Sequence, residues 1–328
     1  MNPTPGDVHV NTPLTNISIA YLQNAANFVA TRVFPNIPVS KQSDRYYVYD
    51  RGDFNRDEMQ LRAPATESSG GGYRLDNTPT YFANRFSFHK DIPDEVRANA
   101  DAVLNPDREA TAFVTHKALI KREKLFTDAY FKAGVWATDI TGVSSNPSSG
   151  QALQWNDSNS TPIESVRAAK RAIAESTGFE PNKLVLGRAV YDALLDHPDI
   201  IDRLKYGQTA GGVANTSTSD LATLFKVEEI LVMNAVQNTG KEGQANAHSF
   251  IGGKHAMLVH AASAPGLMTP TAGYTFSWTG LLGAGAEGNR IKSFRMENLG
   301  ADRVEIDMCF DMKLVASDLG YFWDGIVA

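Results

Sequence analysis

The spacing of apolar residues changes character several times along this 328-residue chain, and each change marks an element. From Asp44 to Lys90 aromatic and polar residues alternate. Arg45-Tyr46-Tyr47-Val48-Tyr49-Asp50 leads out, Ser68-Ser69-Gly70-Gly71-Gly72 makes a hinge, and Thr80-Tyr81-Phe82 with Arg85-Phe86-Ser87-Phe88 leads back. This is the pattern of a long, solvent-facing β-hairpin. A two-stranded ribbon is marginal in water by itself. One this long is expected to rest on a neighbouring molecule, which points to a polymer of many copies.

Before the ribbon, Pro3, Pro5 and Pro13 break regular structure, and Ile19, Leu22, Ala26 and Val29 recur at helical spacing, so an extended arm with a short helix within 15–31 is expected. After it, Pro93-Asp94-Glu95 opens a short helix. Asn105 then reads as an N-cap with Pro106 at the first helical position. No Gly or Pro interrupts 107–133, and Gly134 fits the stop, so a single long helix is expected there. Its apolar residues spread over three sides, which suits an interior helix. Lys117, Lys121, Arg122, Glu123 and Lys124 argue against full burial. Both facts fit a spine touched by several bodies.

Residues 134–161 read as loop and mark a boundary. Helices and short apolar strands then alternate to about 265, including a Thr161-Pro162-Ile163-Glu164 helix start, Leu184-Val185-Leu186 and Ile230-Leu231-Val232. Finally Val304, Ile306, Met308, Phe310, Met312 and Leu314 alternate with Arg303, Glu305, Asp307, Asp311 and Lys313. That is a long strand with one dry and one wet face, expected to pack its dry face on the long helix. The α/β unit would then be an insertion between helix and strand.

Composition narrows the function classes. Hydrophobic residues make up 42% of the chain, enough for a substantial core. The net charge of −6, and a stretch from Met1 to Thr31 without Lys or Arg, argue against bulk electrostatic binding of nucleic acid and against a secretory signal. No run of 18 apolar residues suggests a membrane span. One cysteine, Cys309, excludes an intramolecular disulfide framework.

Candidate chemistry is weak. Gly283-Ala284-Gly285-Ala286-Glu287-Gly288 matches G-x-G-x-x-G, but Arg290-Ile291-Lys292-Ser293-Phe294 after it alternates like a strand, where a dinucleotide site needs a helix. Gly252-Gly253-Lys254 lacks the rest of a phosphate-cradling loop. His248, His255 and His260 match no zinc spacing. Asp53, Asp57 and Glu58 on an exposed ribbon cannot be desolvated into an acid/base pair. No catalytic residue, cofactor or metal is expected.

The order of parts resembles the major capsid proteins of tailed bacteriophages, whose Hong Kong 97-type coat fold is shared with encapsulins and the herpesvirus capsid floor. The proline-rich start, the Ala30-Thr31-Arg32-Val33-Phe34-Pro35-Asn36-Ile37-Pro38-Val39 stretch, the ribbon, the long helix and the late strand carry the likeness. The resemblance implies an α+β fold: N-terminal arm 1–40, extended loop 41–92, peripheral domain 93–160 with spine helix 107–133, inserted axial domain 161–268, and peripheral return strands 269–328. It implies a self-assembling icosahedral shell of hexamers and pentamers around double-stranded DNA, found in the virion and assembled in the host cytoplasm. Scaffold, portal and decoration proteins are possible partners; no membrane is involved. The alternatives are an encapsulin-like compartment and, in another class, an α/β enzyme with an insertion. Inter-subunit contacts are expected from Arg45, Arg51, Asp53, Phe54, Arg56, Asp57, Met59, Leu61, Arg62, Glu67 and Arg74. Some coat proteins of this fold weld neighbours through a loop lysine. No Lys lies between Gln42 and His89, and arginine cannot be that nucleophile, so no such crosslink is expected.

Overall fold

The computed structural model describes residues 22–100, 104–207, 217–266, 268–281 and 284–328. The proline-rich start, the Gly/Thr/Ser stretch at 208–216 and the first glycine of the G-x-G-x-x-G match lie outside these. Two sheets share one hydrophobic core.

The first sheet is built on the long strand Ala301–Leu314. Residues 301–308 are paired on both edges, antiparallel to Asn289–Met296 and to Asn84–Pro93, and residues 310–314 pair with Gly273–Trp278. The arm adds Asn36–Val39 as an outer strand parallel to 275–278. Pro38 is tolerated there because an edge strand does not need every N–H. The long helix runs Pro106–Tyr130, three residues short of its expected end. Asn105 caps it, its side chain accepting from the Arg108 N–H, and Pro106 stands in its first turn.

The helix packs on the 84–93 and 301–314 strands and buries Ala110, Val114, Ala118, Arg122, Glu123 and Phe126. Residues 110, 114, 118, 122 and 126 recur every four positions, so one side is buried after all. The stripe was hidden in the sequence because a charged residue, Arg122, occupies the fourth of its five places.

The second sheet has six strands in the order Glu229–Met233, Lys183–Gly187, Ala256–Val259, Gly320–Asp324, Thr138–Val143 and Gln151–Leu153. Helix Pro162–Thr177 packs Ile163, Val166, Ala169 and Ile173 against it, and Gly178 closes that helix at φ +81°, a value that favours glycine. Thr218–Phe225 starts on a reciprocal Ser217/Asp220 capping box.

Three expectations need correcting. Residues 134–161 are not all loop, since 138–143 and 151–153 are strands of the six-stranded sheet. The tail is not all return strand to the first sheet, since 320–324 pairs with 256–259 and 138–143. Sheet membership therefore does not change at 160; it does change between 259 and 273, and it returns to the six-stranded sheet at 320. Nor does the ribbon's returning limb stand free of the body, because 84–93 pairs along the first sheet, although 84, 85 and 87–89 keep exposed side chains.

Candidate inter-subunit surface

The ribbon is anchored at its base by aromatic packing on its own chain. Tyr81 stacks on Phe276 with ring centroids 4.4 Å apart, and Tyr46 lies 5.4 Å from the same ring. The Phe82 N–H donates to Asp311 at 2.9 Å. Two short ladders follow, 43–45 with 80–82 and 48–49 with 75–76. Beyond them the strands separate. The expected continuous hairpin is a short ladder carrying a broad tip, because charged Asp, Arg and Glu side chains interrupt the alternation from Arg51 onward.

The tip organises itself locally. Asp50 caps the one-turn helix Arg51–Phe54 by accepting from the Gly52 N–H at 2.8 Å. Asp53 accepts from the Arg74 N–H at 2.9 Å and its Nε at 3.2 Å, and Arg74 Nη2 reaches Asp50 at 2.5 Å. Those Arg74 bonds hold the Asp53 carboxyl below the usual carboxylate range. Arg56 bridges Asp53 and Glu58 at 3.4 and 3.1 Å. Tyr49, Phe54 and Tyr73 form a three-ring cluster with centroids 5.5–6.0 Å apart.

Of the residues singled out from sequence, then, Asp53, Arg56 and Arg74 direct their charges at one another. Arg51 pairs with Asp318 of the main body, and Phe54 belongs to the tip cluster. Arg62 donates through Nε to the Thr66 carbonyl. Arg45, Asp57 and Glu67 are exposed. Met59 and Leu61 stand out: they are 92% and 103% exposed, with no apolar support beneath them. These two large apolar side chains, on a loop that is exposed from Met59 through Arg74, form the free edge of the tip.

A second polar assembly, missed from sequence, stiffens the sheet under the ribbon. The odd face of 301–314 is not wet throughout: Asp307 and Cys309 are fully buried. Arg85 donates to Asp307 through Nε and Nη2, both at 2.9 Å, Arg290 Nε donates at 2.9 Å, and Ser87 Oγ donates at 2.5 Å. Burial pushes the Asp307 carboxyl up, but the bonds from Ser87, Arg290 and Arg85 outweigh it and hold the group below its ordinary value. Arg303 makes a bidentate pair with Asp91 at 2.7 and 2.9 Å, and Lys292 meets Glu305 at 2.7 Å. The register accounts for this, since 87 pairs with 307, 290 with 307, 91 with 303 and 292 with 305. Burial also pushes the Cys309 thiol up.

The remaining motifs hold no site chemistry. Gly288, at φ +69°, turns the 284–288 loop into strand 289–296, and a Cβ there would meet the Cys309 carbonyl at 2.3 Å. His255 faces Asp324, His260 faces the Glu180 carbonyl, and His248 lies on a separate hairpin. No group of metal-ligating side chains is present among the described residues. No described helix is long and apolar enough to cross a membrane.

Comparisons with known proteins agree with one another. Residues 144–274 match a family described as phage major capsid protein E. The chain is 27% identical to the major capsid protein of Pseudomonas phage JBD67 over 320 residues, 97% of each chain. It is 22% identical to that of Burkholderia phage BcepMu, covering 97% of this chain and 96% of the relative. Among solved structures, a phage-related protein from Bordetella bronchiseptica superposes with a TM-score of 0.67 at 20% identity, covering 92% of this chain and 93% of that one. The capsid of cyanophage P-SCSP1u superposes at 0.61 and 10% identity, covering 97% and 93%. An encapsulin from Synechococcus elongatus PCC 7942 superposes at 0.57 and 9% identity, covering 96% and 92%. The structural likenesses identify the fold as Hong Kong 97-type.

Proposed function

We propose that this chain, a phage major capsid protein with a structural rather than enzymatic role, builds its shell by laying the 50–74 tip across an adjacent subunit. The shell is icosahedral and encloses the double-stranded DNA genome of a tailed phage, with the six-stranded body gathered around hexamer and pentamer centres. One observation carries the reading of the tip: Met59 and Leu61 are held out in solvent on a loop organised by its own ion pairs. Burying one such side chain contributes about 1.5–3 kcal/mol, and the described chain offers neither a place. A heterologous contact, one patch meeting a different patch, is what a closed ring of identical subunits requires.

Arg45, Asp57, Arg62 and Glu67 fit the polar rim of such a contact, and Met59 and Leu61 its apolar centre. Arg51, Asp53, Phe54, Arg56 and Arg74 shape the tip and present the others. Scaffold, portal and decoration proteins are further proposed partners, with assembly in the host cytoplasm before residence in the virion.

Deleting 56–72 tests this. The ion pairs of Arg74 with Asp50 and Asp53 stay in place, so the product is expected to remain folded and soluble, eluting as small species where the parent gives megadalton particles. Normal shells from the deletion variant would refute the role of the tip. The encapsulin likeness supports an alternative, a protein compartment without a genome, and the nucleic-acid content of native particles separates the two.

A further inference from the structure

The exposed side of the long helix carries an arrangement that shell contacts through the tip do not use. Phe113, Lys117, Lys121 and Lys124 follow one another along it at four- and three-residue steps, and all are exposed. Between Glu109 and Asp128 the only acid on this helix is Glu123, which is buried on the other side. Lys124 meets Asp128 at 3.3 Å. Lys117 and Lys121 sit in no ion pair among the described residues. Their ammonium groups lie instead over rings, Lys117 5.4 Å from the centre of Phe113 and Lys121 5.5 Å from that of Phe86. Phe88 flanks the row 5.8 Å from Phe113.

The opposite face of the same sheet is different. There Arg85, Arg290, Lys292 and Arg303 are matched by Asp91, Glu305 and Asp307. In a chain of net charge −6, the helix side therefore carries a local row of lysines of which one, Lys124, has an acidic partner on the helix.

We propose that the Phe113–Lys117–Lys121–Lys124 row is a contact for the phosphate backbone of double-stranded DNA, which makes the helix side the genome-facing side of the shell wall. The inference rests on the reading of a DNA-filled shell. Lys117 and Lys124 are seven residues apart, about 10 Å along the helix, and a duplex presents one negative charge per about 1.7 Å of its axis, so the row can meet several phosphates at once. Lysine ammoniums act as point charges, and the helix side offers no fork to read base edges, so the contact is independent of sequence. The rings of Phe113 on the helix and Phe86 on the sheet hold the Lys117 and Lys121 ammoniums in place along the row. Three contacts make a weak interaction, which suits a wall over which DNA must slide during packing.

The test uses the full chain held below its assembly concentration, with a fluorescent duplex of about 30 base pairs, binding being measured from about 50 to 200 mM salt. The parent is expected to bind with an affinity that falls with salt. The triple variant Lys117→Gln, Lys121→Gln, Lys124→Gln is expected to bind at least roughly tenfold more weakly at the low end, its salt slope smaller by about 2–3. The triple arginine variant is expected to bind like the parent. Parent-like binding and slope in the glutamine variant would overturn the proposal. So would a parent that binds polyglutamate but not the duplex, which would identify an acidic protein as the occupant. Micrographs of the same variants are scored separately: shells from both parent and glutamine variant, with DNA binding lost only in the latter, support the inference. Absence of shells from the parent counts against the shell reading and not against the DNA contact.

Discussion

Glu123 is a carboxylate 1% exposed in the middle of the long helix, accepting from the Val29 N–H at 3.0 Å and the Ala30 N–H at 2.9 Å. It thereby fastens the arm, whose Val29, Ala30, Val33 and Phe34 are buried in the main core. Burial is the dominant influence and pushes its pKa from 4.5 up to about 7, against the two backbone bonds and Arg122. A folded-state pKa above the unfolded one means that the folded chain binds the extra proton. The associated stability is complete below about pH 4.5 and is lost as pH rises through about 7. That loss is about 3 kcal/mol at most. The melting temperature is therefore expected to fall between pH 5 and pH 8, and Glu123→Gln is expected to flatten the fall. An unchanged pH slope in the variant would show that the carboxylate is not responsible. Asp307 has the opposite sign, being held ionised by Arg85, Arg290 and Ser87. Asp307→Asn keeps the shape but removes the counter-charge of two guanidiniums, one of them, Arg85, part-exposed; a destabilisation of about 3 kcal/mol is expected by chemical denaturation, with the m-value unchanged.

At the scale of elements, the long helix and the ribbon behave oppositely. The helix was legible because its signals are local: an Asn-Pro start, and 27 residues without Gly or Pro before Gly134. What was not legible is why it tolerates Arg122 and Glu123 on its buried side. Their partners, Glu287 and the 29–30 backbone, lie far away in sequence and arrive only when the chain folds. The ribbon's existence was also legible, from alternation and a Ser/Gly hinge. Its internal ion pairs were not, since Asp50, Asp53 and Arg74 stand 21–24 residues apart and meet only through the turn. Arg74→Ala is expected to loosen the tip alone: faster proteolysis within 51–73, with the global unfolding midpoint staying at that of the parent, since the Arg74 side chain is exposed. A large fall in global stability would mean that the tip is part of the core.

At the scale of the whole molecule, the absence of Lys from 43–88 has a consequence for the assembled shell. Subunits joined by apolar and polar contacts alone are expected to run as single chains of 35.7 kDa on denaturing electrophoresis of purified particles. Covalent ladders would show a welding chemistry that this loop does not supply. The two sheets also share one core. The tail strand 320–324 lies between 256–259 and 138–143, and Phe322, Trp323 and Ile326 are buried in the core shared by both sheets. Removing 317–328 is therefore expected to abolish folding rather than trim an end, as read by circular dichroism and solubility.

The amino-acid order by itself determined the elements whose cues are short in range: the capped helix, the alternating 301–314 strand, the base of the ribbon though not its length, and the run of helices and strands between 161 and 259. It also determined the resemblance, because the order of those parts is a property of the chain. Only the tertiary structure decided which strands share a sheet, why the wet face of 301–314 is dry at Asp307 and Cys309, and which ribbon arginines are used up within the chain. The reason is the range of the interactions. Caps and alternation are written within a few residues, whereas burial of a charge becomes favourable only when strands from 84–93 and 289–296 deliver its counter-charges across the sheet.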